Sequence, residues 1–167
     1  TDIRWYADPP EPKCMAAPET RLTPREPAGA EAVKASAKRI APRLKALAPE
    51  AEQSRRLTRE GIDLVRDHGL FKTLQPERSG GHQLTLRTHL DVVSALSEGC
   101  VSTGWVVGVA HAHSWLIGHM SRQAQDDVYA NNPNAFVAAV VGPRGKAVKC
   151  ADGSFQLNGF WPFGSGS

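Results

Sequence analysis

The C-terminal residues 152–167 carry side chains well suited to hold a flat ligand. The run reads Asp-Gly-Ser-Phe-Gln-Leu-Asn-Gly-Phe-Trp-Pro-Phe-Gly-Ser-Gly-Ser. Its residues 155–159 alternate apolar and polar, as a half-buried strand does, and Asn158 followed by Gly159 predicts a chain reversal. An aromatic pair beside Gly-Ser-Gly offers an apolar wall, backbone N–H groups and a hydroxyl, which suit a planar heteroaromatic ligand. The same segment also fits an ordinary hairpin with a flexible tail.

A second group of side chains that could do chemistry lies in an apolar, helix-like stretch. Trp105 and His113 are eight residues apart, a little over two helical turns, so both project from nearly one face. His111 and His119 lie nearby, but His111 and His113 face different sides, and no carboxylate lies one turn away before Asp126. The sequence therefore predicts no metal site here. A lone histidine in an apolar helix is commonly a satisfied core residue.

The size and composition of the chain suit one domain with a core, or one domain and part of another. The chain has 167 residues and a mass of 18.0 kDa, and 41% of its residues are apolar. It has no run of about 18 apolar residues and no secretory signal pattern, so a cytoplasmic protein that does not span a membrane is expected. Cys14, Cys100 and Cys150 are odd in number and far apart, which predicts three reduced thiols.

The formal net charge is +3, and the basic excess lies between Lys34 and Arg59. A nucleic-acid-binding patch would be denser and would carry interleaved aromatic residues, so no nucleic-acid partner is predicted. The preferred interpretation is a solvated helix face that offers at most weak attraction to an anionic ligand.

Three regions follow one another along the chain. Residues 1–29 are rich in proline and poor in apolar residues, which predicts a disordered tail. Residues 30–134 show helical periodicity and predict a helical domain. Residues 135–167 carry only three short β-like stretches, at 136–141, 146–150 and 154–157. Since two or three strands make a marginal sheet, this region is interpreted as the truncated start of a β domain.

Apolar spacing predicts a first helix from Ala30 with one buried stripe. The stripe residues recur at intervals of four and three, and they are Val33, Ala37, Ile40, Leu44 and Leu47. Pro42 lies inside this stripe and should kink the helix or end its first half. Thr58 should cap a second helix that stops at His68, with Gly69 just beyond its end.

Three further helices are predicted before residue 130. The third covers about 86–98, and the residues expected to face inward are Leu90, Val93, Leu96 and Ser97. The fourth runs from Ser102 to about Met120 and is apolar almost all round, so it should be central. Ser121 should cap a short fifth helix that ends at Tyr129.

The order of these motifs resembles the acyl-CoA dehydrogenase fold. The order is a Gly-Leu-Phe segment, a loop with a Gly-Gly pair, the run Gly99-Cys-Val-Ser-Thr-Gly-Trp105, a histidine-bearing helix, and the Trp-Pro-Phe-x-Ser-Gly hairpin. Within that fold, the sequence is most similar to the oxygenase components of two-component flavin-dependent aromatic monooxygenases, the p-hydroxyphenylacetate hydroxylase type. The resemblance covers about residues 30–167, the N-terminal third to half of such a protein. It implies a mainly α chain, with the N-terminal helical domain and the beginning of the middle β-barrel domain.

The resemblance also implies a function. A partner flavin reductase would supply reduced FMN or FAD, and its reaction with O2 would form a flavin hydroperoxide that hydroxylates a phenol-like aromatic substrate. Full-length proteins of this type are expected to form homo-oligomers. The chain by itself is expected to be inactive, because it lacks the regions that complete the flavin pocket.

Individual residues take their roles from the same resemblance. Trp161, Phe163, Gly164 and Ser165 match the flavin-binding hairpin, and the Ser165 hydroxyl would also act in catalysis near flavin N5. Trp105 and His113 would line the substrate pocket, where His113 would hydrogen-bond a phenol oxygen as a catalytic residue.

Two other functions stay open. The chain could be part of an acyl-CoA dehydrogenase that oxidises a thioester in the same fold. It could instead be a non-catalytic helical interaction module that associates through the apolar face of residues 105–120.

Overall fold

The computed structural model describes residues 28–140, 142, 144–162 and 164, and this part of the chain is a helical body followed by a hairpin. The prediction of a mainly α chain with a partial β segment is confirmed. The predicted proline-rich tail, residues 1–29, lies outside the described residues except for its last two positions. The elements are α1 (Ala30–Ser54), α2 (Arg59–Asp67), α3 (Leu86–Gly99), α4 (Val101–Gly118), α5 (Arg122–Tyr129), β1 (Gly145–Lys149) and β2 (Phe155–Gly159), with 3-10 turns at Leu70–Lys72 and Glu77–Ser79.

Helix α1 buries the predicted stripe. All five stripe residues are buried, and α1 packs against α3 and α2. Pro42 and Pro49 both lie inside the helix, so of the two predicted effects of Pro42 the end of the first half is wrong. Both prolines are exposed, so the rings face solvent. The carbonyls that lose an intrahelical bond can be hydrated there, and the long buried stripe holds the helix together.

Three of the helices begin after a threonine or serine whose side chain caps the helix N-terminus. The Thr58 hydroxyl accepts a bond from the Gly61 N–H at 3.1 Å, and the Ser121 hydroxyl accepts one from the Ala124 N–H at 3.3 Å. Thr85 caps α3 in the same way. Gly69 follows α2 with φ 67°, a left-handed conformation that favours glycine, so the predicted end of α2 is confirmed.

The inner face of α3 differs partly from the prediction. Leu96 is fully buried as expected, but Leu90 is 57% exposed, and Val92 and Ala95 are buried instead. The shift arises because α3 lies between α1 and α4 and therefore buries two neighbouring faces, which a single stripe cannot represent.

Helices α3 and α4 approach closely because α4 has glycine where they touch. A Cβ atom at position 104 would overlap the Ser97 hydroxyl, whereas one at position 108 would lie 3.5 Å from Val93 Cγ2, an ordinary contact. Helix α4 packs against α3 on one side and against the Leu70–Lys72 turn on another. Much of its remaining surface is open to solvent in this part of the chain, and the side chains of Trp105 and Trp115 are 64% and 52% exposed. The prediction of a central α4 is therefore wrong for the described residues, although the helix is apolar almost all round as expected.

The β segment is shorter than predicted. Residues 135–140 contain no strand, so the predicted strand over 136–141 is wrong for its described part, and Val141 lies outside the described residues. Strands β1 and β2 form an antiparallel pair in which Gly145 faces Gly159. All ten strand residues are exposed, so the predicted half-buried face of β2 has no cover within the described chain.

The turn of the hairpin also differs from the prediction. Asn158 and Gly159 lie inside β2, so the expected reversal there is wrong. The chain reverses at residues 151–153, where Gly153 takes φ 86° and the Asp152 carboxylate accepts bonds from the Ser154 N–H at 3.0 Å and hydroxyl at 2.7 Å. Asp-Gly favours a turn as strongly as Asn-Gly, and the cross-strand register decides between them.

The close helix crossing generates a stability prediction. Gly104→Ala should lower the free energy of unfolding by about 1–3 kcal/mol, because the added methyl group overlaps Ser97 in a packed interface. Gly108→Ala is the matched control. It meets only ordinary contacts and gains helix propensity of about 1 kcal/mol, so its stability should not fall. Urea denaturation of both variants is the measurement, and equal effects of the two substitutions would contradict the predicted crossing.

Candidate functional site

A cleft of about 1110 Å³ opens between the C-terminal end of α1, α2, the Leu70–Lys72 turn, the first half of α4 and residues 134–137. Its volume is slightly above the usual range for small-molecule sites, roughly 300–1,000 Å³. Of the sequence-predicted site residues, Trp105 lines it directly. Both aromatic and cationic side chains border this cleft.

Three aromatic side chains form its apolar wall. Phe71 and Phe136 meet edge to face, with ring centroids 5.5 Å apart and planes at 87°. Trp105, from the first turn of α4, adds a mostly exposed indole. Flat rings of this kind bury large area against a planar ligand and orient it by their electrostatic faces.

His113 fixes one wall of the cleft. Its Nδ1 lies 2.9 Å from the backbone carbonyl of Val137, and Val137 lines the cleft. Because a carbonyl only accepts hydrogen bonds, Nδ1 must carry the proton, and in the neutral ring Nε2 is then an acceptor. The half-buried His113 therefore anchors residues 134–137 and keeps one nitrogen for another partner.

Cationic residues surround the other side of the cleft. The lining includes Arg55, Arg56, Arg59, Arg66 and Lys72, and a single carboxylate, Glu52. Their gathering was not predicted, because they come from α1, α2 and the turn after α2, and only the first three fall in the basic stretch that the sequence shows.

The Trp161 indole lies on its own hairpin. A Cβ atom at either Gly145 or Gly159 would overlap its six-membered ring, so the ring packs directly on the backbone of this glycine pair. Trp161 is half-buried and does not line the cleft within the described residues. Gly164 is half-exposed, and Phe163 and Ser165 lie outside the described residues. The flavin-binding roles of these four residues stay predictions.

A hydrogen-bonded pair of histidines, one buried and one half-buried, is a feature that the sequence did not reveal. His111 is fully buried, its Nε2 donates to the Leu70 carbonyl, and its Nδ1 lies 2.8 Å from Nδ1 of His89. Since Nε2 holds the proton of His111, Nδ1 accepts and His89 donates. Burial lowers the pKa of His111 to about 4, against a partial rise from its bond to Leu70, and burial also lowers the pKa of His89. The pair thus ties α3, α4 and the Leu70–Lys72 turn together.

Metal binding, membrane insertion and thiol chemistry would depend on other features of the described residues. Within the described ranges, no three His, Cys, Asp or Glu side chains are placed to hold a metal ion. No described helix combines the length and apolarity needed to cross a membrane. The thiols of Cys100 and Cys150 are free, the first buried and the second exposed.

Comparison with known proteins identifies the family of the helical domain. Residues 28–132 match the family described as "Acyl-CoA dehydrogenase, N-terminal domain". The oxygenase subunit HsaA of a flavin-dependent monooxygenase from Rhodococcus jostii is 33% identical over 127 residues, which cover 76% of this chain and 33% of that protein. The oxygenase component of an FADH2-dependent resorcinol hydroxylase from a Rhizobium species is 34% identical over 127 residues, covering 76% of this chain and 31% of that protein.

Solved structures agree with these relatives. XiaF from a Streptomyces species, in complex with FADH2 and glycerol, superposes with a TM-score of 0.77 at 28% identity, covering 82% of this chain and 34% of that chain. The HsaA monooxygenase from M. tuberculosis gives a TM-score of 0.75 at 30% identity, and the superposition covers 79% of this chain and 36% of that chain. The chain thus spans about a third of the length of the curated relatives it matches.

The buried histidine generates a pH prediction. The pKa of His111 is about 4 in the folded chain against an ordinary 6.5, so the unfolded chain binds the extra proton first as the pH falls. The free energy of unfolding should therefore drop by about 3 kcal/mol between pH 7.5 and 4 from this residue alone. Urea denaturation across this pH range measures the drop.

Two variants isolate the contribution of His111. His111→Gln keeps an N–H donor for the Leu70 carbonyl but cannot titrate, so the pH-dependent drop should shrink. His119→Gln removes an exposed histidine and should leave the drop intact. An equally large drop in His111→Gln and in the unaltered chain would contradict the assignment.

Proposed function

The chain belongs to the acyl-CoA dehydrogenase family through its N-terminal domain, and we propose that it is the N-terminal part of a monooxygenase oxygenase component. The complete enzyme would use reduced flavin and O2 to hydroxylate a phenol-like aromatic substrate. The observation that carries the proposal is the similarity to oxygenase components of flavin-dependent monooxygenases over more than 70% of the chain. By itself, the N-terminal domain of the family would be equally compatible with thioester oxidation.

The cleft residues fit a flavin or an aromatic substrate. The volume of about 1110 Å³ and the wall of Phe71, Trp105 and Phe136 suit a planar heteroaromatic ring. A bound reduced flavin, FMN or FAD, would supply the electrons that activate O2, and a partner flavin reductase would provide it. The FADH2 complex of the structural relative XiaF supports a reduced flavin of this kind.

His113 is proposed to hold the substrate hydroxyl. With its Nδ1 proton committed to the Val137 carbonyl, Nε2 of the neutral ring can accept the proton of a phenol O–H. Withdrawing that proton raises the electron density of the aromatic ring, which favours attack by an electrophilic oxygen. The same bond keeps Val137 in the cleft wall, so His113 would position the wall and the substrate together.

Trp105 and the hairpin are proposed to shield the reacting atoms. The Trp105 indole lines the cleft, is mostly exposed and would cover a bound ring, which excludes water from the reaction. Trp161, Phe163, Gly164 and Ser165 are proposed to hold the flavin, with the Ser165 hydroxyl as a hydrogen-bond donor near flavin N5. The all-exposed β1–β2 pair leaves one or both of its faces available for such a role.

The assembly of the complete enzyme is proposed on the same basis. We expect a homo-oligomer in the cytoplasm, served by a separate reductase, with a small aromatic substrate and O2. The chain of 167 residues is expected to bind flavin weakly and to turn over slowly or not at all.

Anaerobic titration with reduced flavin tests the binding. Addition of reduced FMN or FADH2 should quench tryptophan emission, because a flavin near Trp161 or Trp105 accepts its excitation energy. Trp105→Phe should lose part of the quenching, because Trp105 lines the cleft, whereas Trp115→Phe should retain it, since Trp115 does not line the cleft. No spectral change at high micromolar protein would favour a non-catalytic helical module.

Replacement of Ser165 tests the hairpin in the complete oxygenase. Ser165→Ala should raise the fraction of O2 that is released as hydrogen peroxide, by about tenfold, because one donor to the flavin is lost. Ser167→Ala lies in the same Gly-Ser run and serves as the control with unchanged coupling. The measurement is the ratio of hydrogen peroxide to hydroxylated product, and identical ratios in the two variants would contradict the role of Ser165.

A further inference from the structure

We infer that the cationic side of the cleft binds the carboxylate or phosphate of a flat aromatic ligand whose ring lies on the aromatic wall. This inference rests on the proposed function for the kind of ring, since the same cleft would hold substrate or flavin. It concerns charge recognition and not turnover, so it can be tested without an active enzyme.

The charged side chains that line the cleft do not neutralise one another. Arg59 and Arg66 both pair with the carboxylate of Asp63. The distance from Arg59 Nε to Asp63 Oδ2 is 3.0 Å. Arg55, Arg56 and Lys72 make no ion pair within the described residues, and Glu52 is the one acidic side chain in the lining. The lining therefore keeps a net positive charge after internal pairing, beside an apolar wall that lowers the local dielectric.

Arg55 has a backbone conformation that is unfavourable for a residue with a side chain. Arg55 ends α1 with φ 53° and ψ 31°, and its N–H bonds to the carbonyls of Ala51 and Glu52. Glycine adopts this left-handed conformation without steric cost and is the usual residue at such a helix end, whereas a residue with a Cβ is disfavoured. An arginine at this position gives up stability and places a guanidinium at the cleft. Such local strain is characteristic of positions selected for function.

The aromatic and cationic residues that line the cleft lie next to one another. Phe71 and Lys72 are adjacent in the same turn, so an aromatic ring and an ammonium group come from neighbouring residues. Arg55 and Arg56 line the cleft just after the end of α1. Arginine pairs with carboxylate and phosphate through parallel N–H bonds, and aromatic faces accept planar rings. One ligand that carries both a ring and an anionic group satisfies the two parts together.

Two pairs of small molecules probe this inference on the 167-residue chain. FMN and riboflavin differ by the phosphate, and 4-hydroxyphenylacetate and 4-hydroxyphenylacetamide differ by the negative charge. Isothermal titration calorimetry at physiological salt should show that the anionic member of at least one pair binds about tenfold more tightly. A preference for FMN alone identifies the phosphate as the anion recognised, and a preference for the acid alone identifies a substrate carboxylate.

Three variants connect the preference to the cleft. Arg55→Gly and Arg56→Gln should each reduce the preference for the anionic member several-fold. Arg55→Gly should also keep or raise the melting temperature, because glycine relieves the left-handed backbone, so loss of binding cannot be attributed to unfolding. Lys45→Gln is the matched control, because it removes one exposed positive charge from α1 outside the cleft lining and should leave the preference unchanged.

The outcomes separate this inference from the proposed function. Equal affinity for charged and neutral members of both pairs would overturn the inference, and so would a preference that survives in Arg55→Gly and Arg56→Gln. If reduced flavin fails to bind but the aromatic acid is preferred over its amide, the proposed flavin function fails and the charge recognition stands. If reduced flavin binds but neither the FMN–riboflavin pair nor the acid–amide pair shows a charge preference, the flavin function stands and the inference fails.

Discussion

The close crossing of α3 and α4 is the constraint on which the rest of the described structure depends. Gly104 lets the Ser97 hydroxyl approach the α4 backbone, and Gly99, at the end of α3, lets the Ala41 carbonyl of α1 approach in the same way. Three helices thus meet at two positions where no side chain would fit. Packed interiors do not deform continuously, so these contacts fix the angle at which α4 leaves the core. That angle determines where Trp105 and His113 lie.

Two histidines then join α4 to the Leu70–Lys72 turn and to residues 134–137. His111 bonds to the Leu70 carbonyl in the interior, and His113 bonds to the Val137 carbonyl at the cleft. Both acceptors are backbone groups in segments without a regular hydrogen-bond ladder, and such groups are costly to leave unpaired when buried. The walls of the cleft are therefore set by α4 from two sides. The aromatic and cationic groups reach a common space because α2 and the Leu70–Lys72 turn are held in that frame.

Much of the helical fold could be predicted from local signals. The stripe on α1, the caps Thr58 and Ser121 and the glycine after α2 depend on spacing and on residues that satisfy helix ends, and these were correct. The errors have a shared cause. The exposure of Leu90, the uninterrupted helix at Pro42, the coil at 136–140 and the position of the hairpin turn all depend on neighbours that local periodicity does not include. The resemblance supplied the family, which the helical domain confirms.

By itself, the sequence determined the helices, several of their ends, the aromatic and histidine residues available for chemistry, and the family to which the chain belongs, because these depend on residue type and spacing. The tertiary structure alone decided which nitrogen of His113 is committed, that His111 is paired with His89, and that Trp161 rests on a glycine pair. It also decided that basic residues from three elements converge on one cleft. Charges distant in sequence act together only when packing brings them within a few ångströms, since water and salt screen them otherwise.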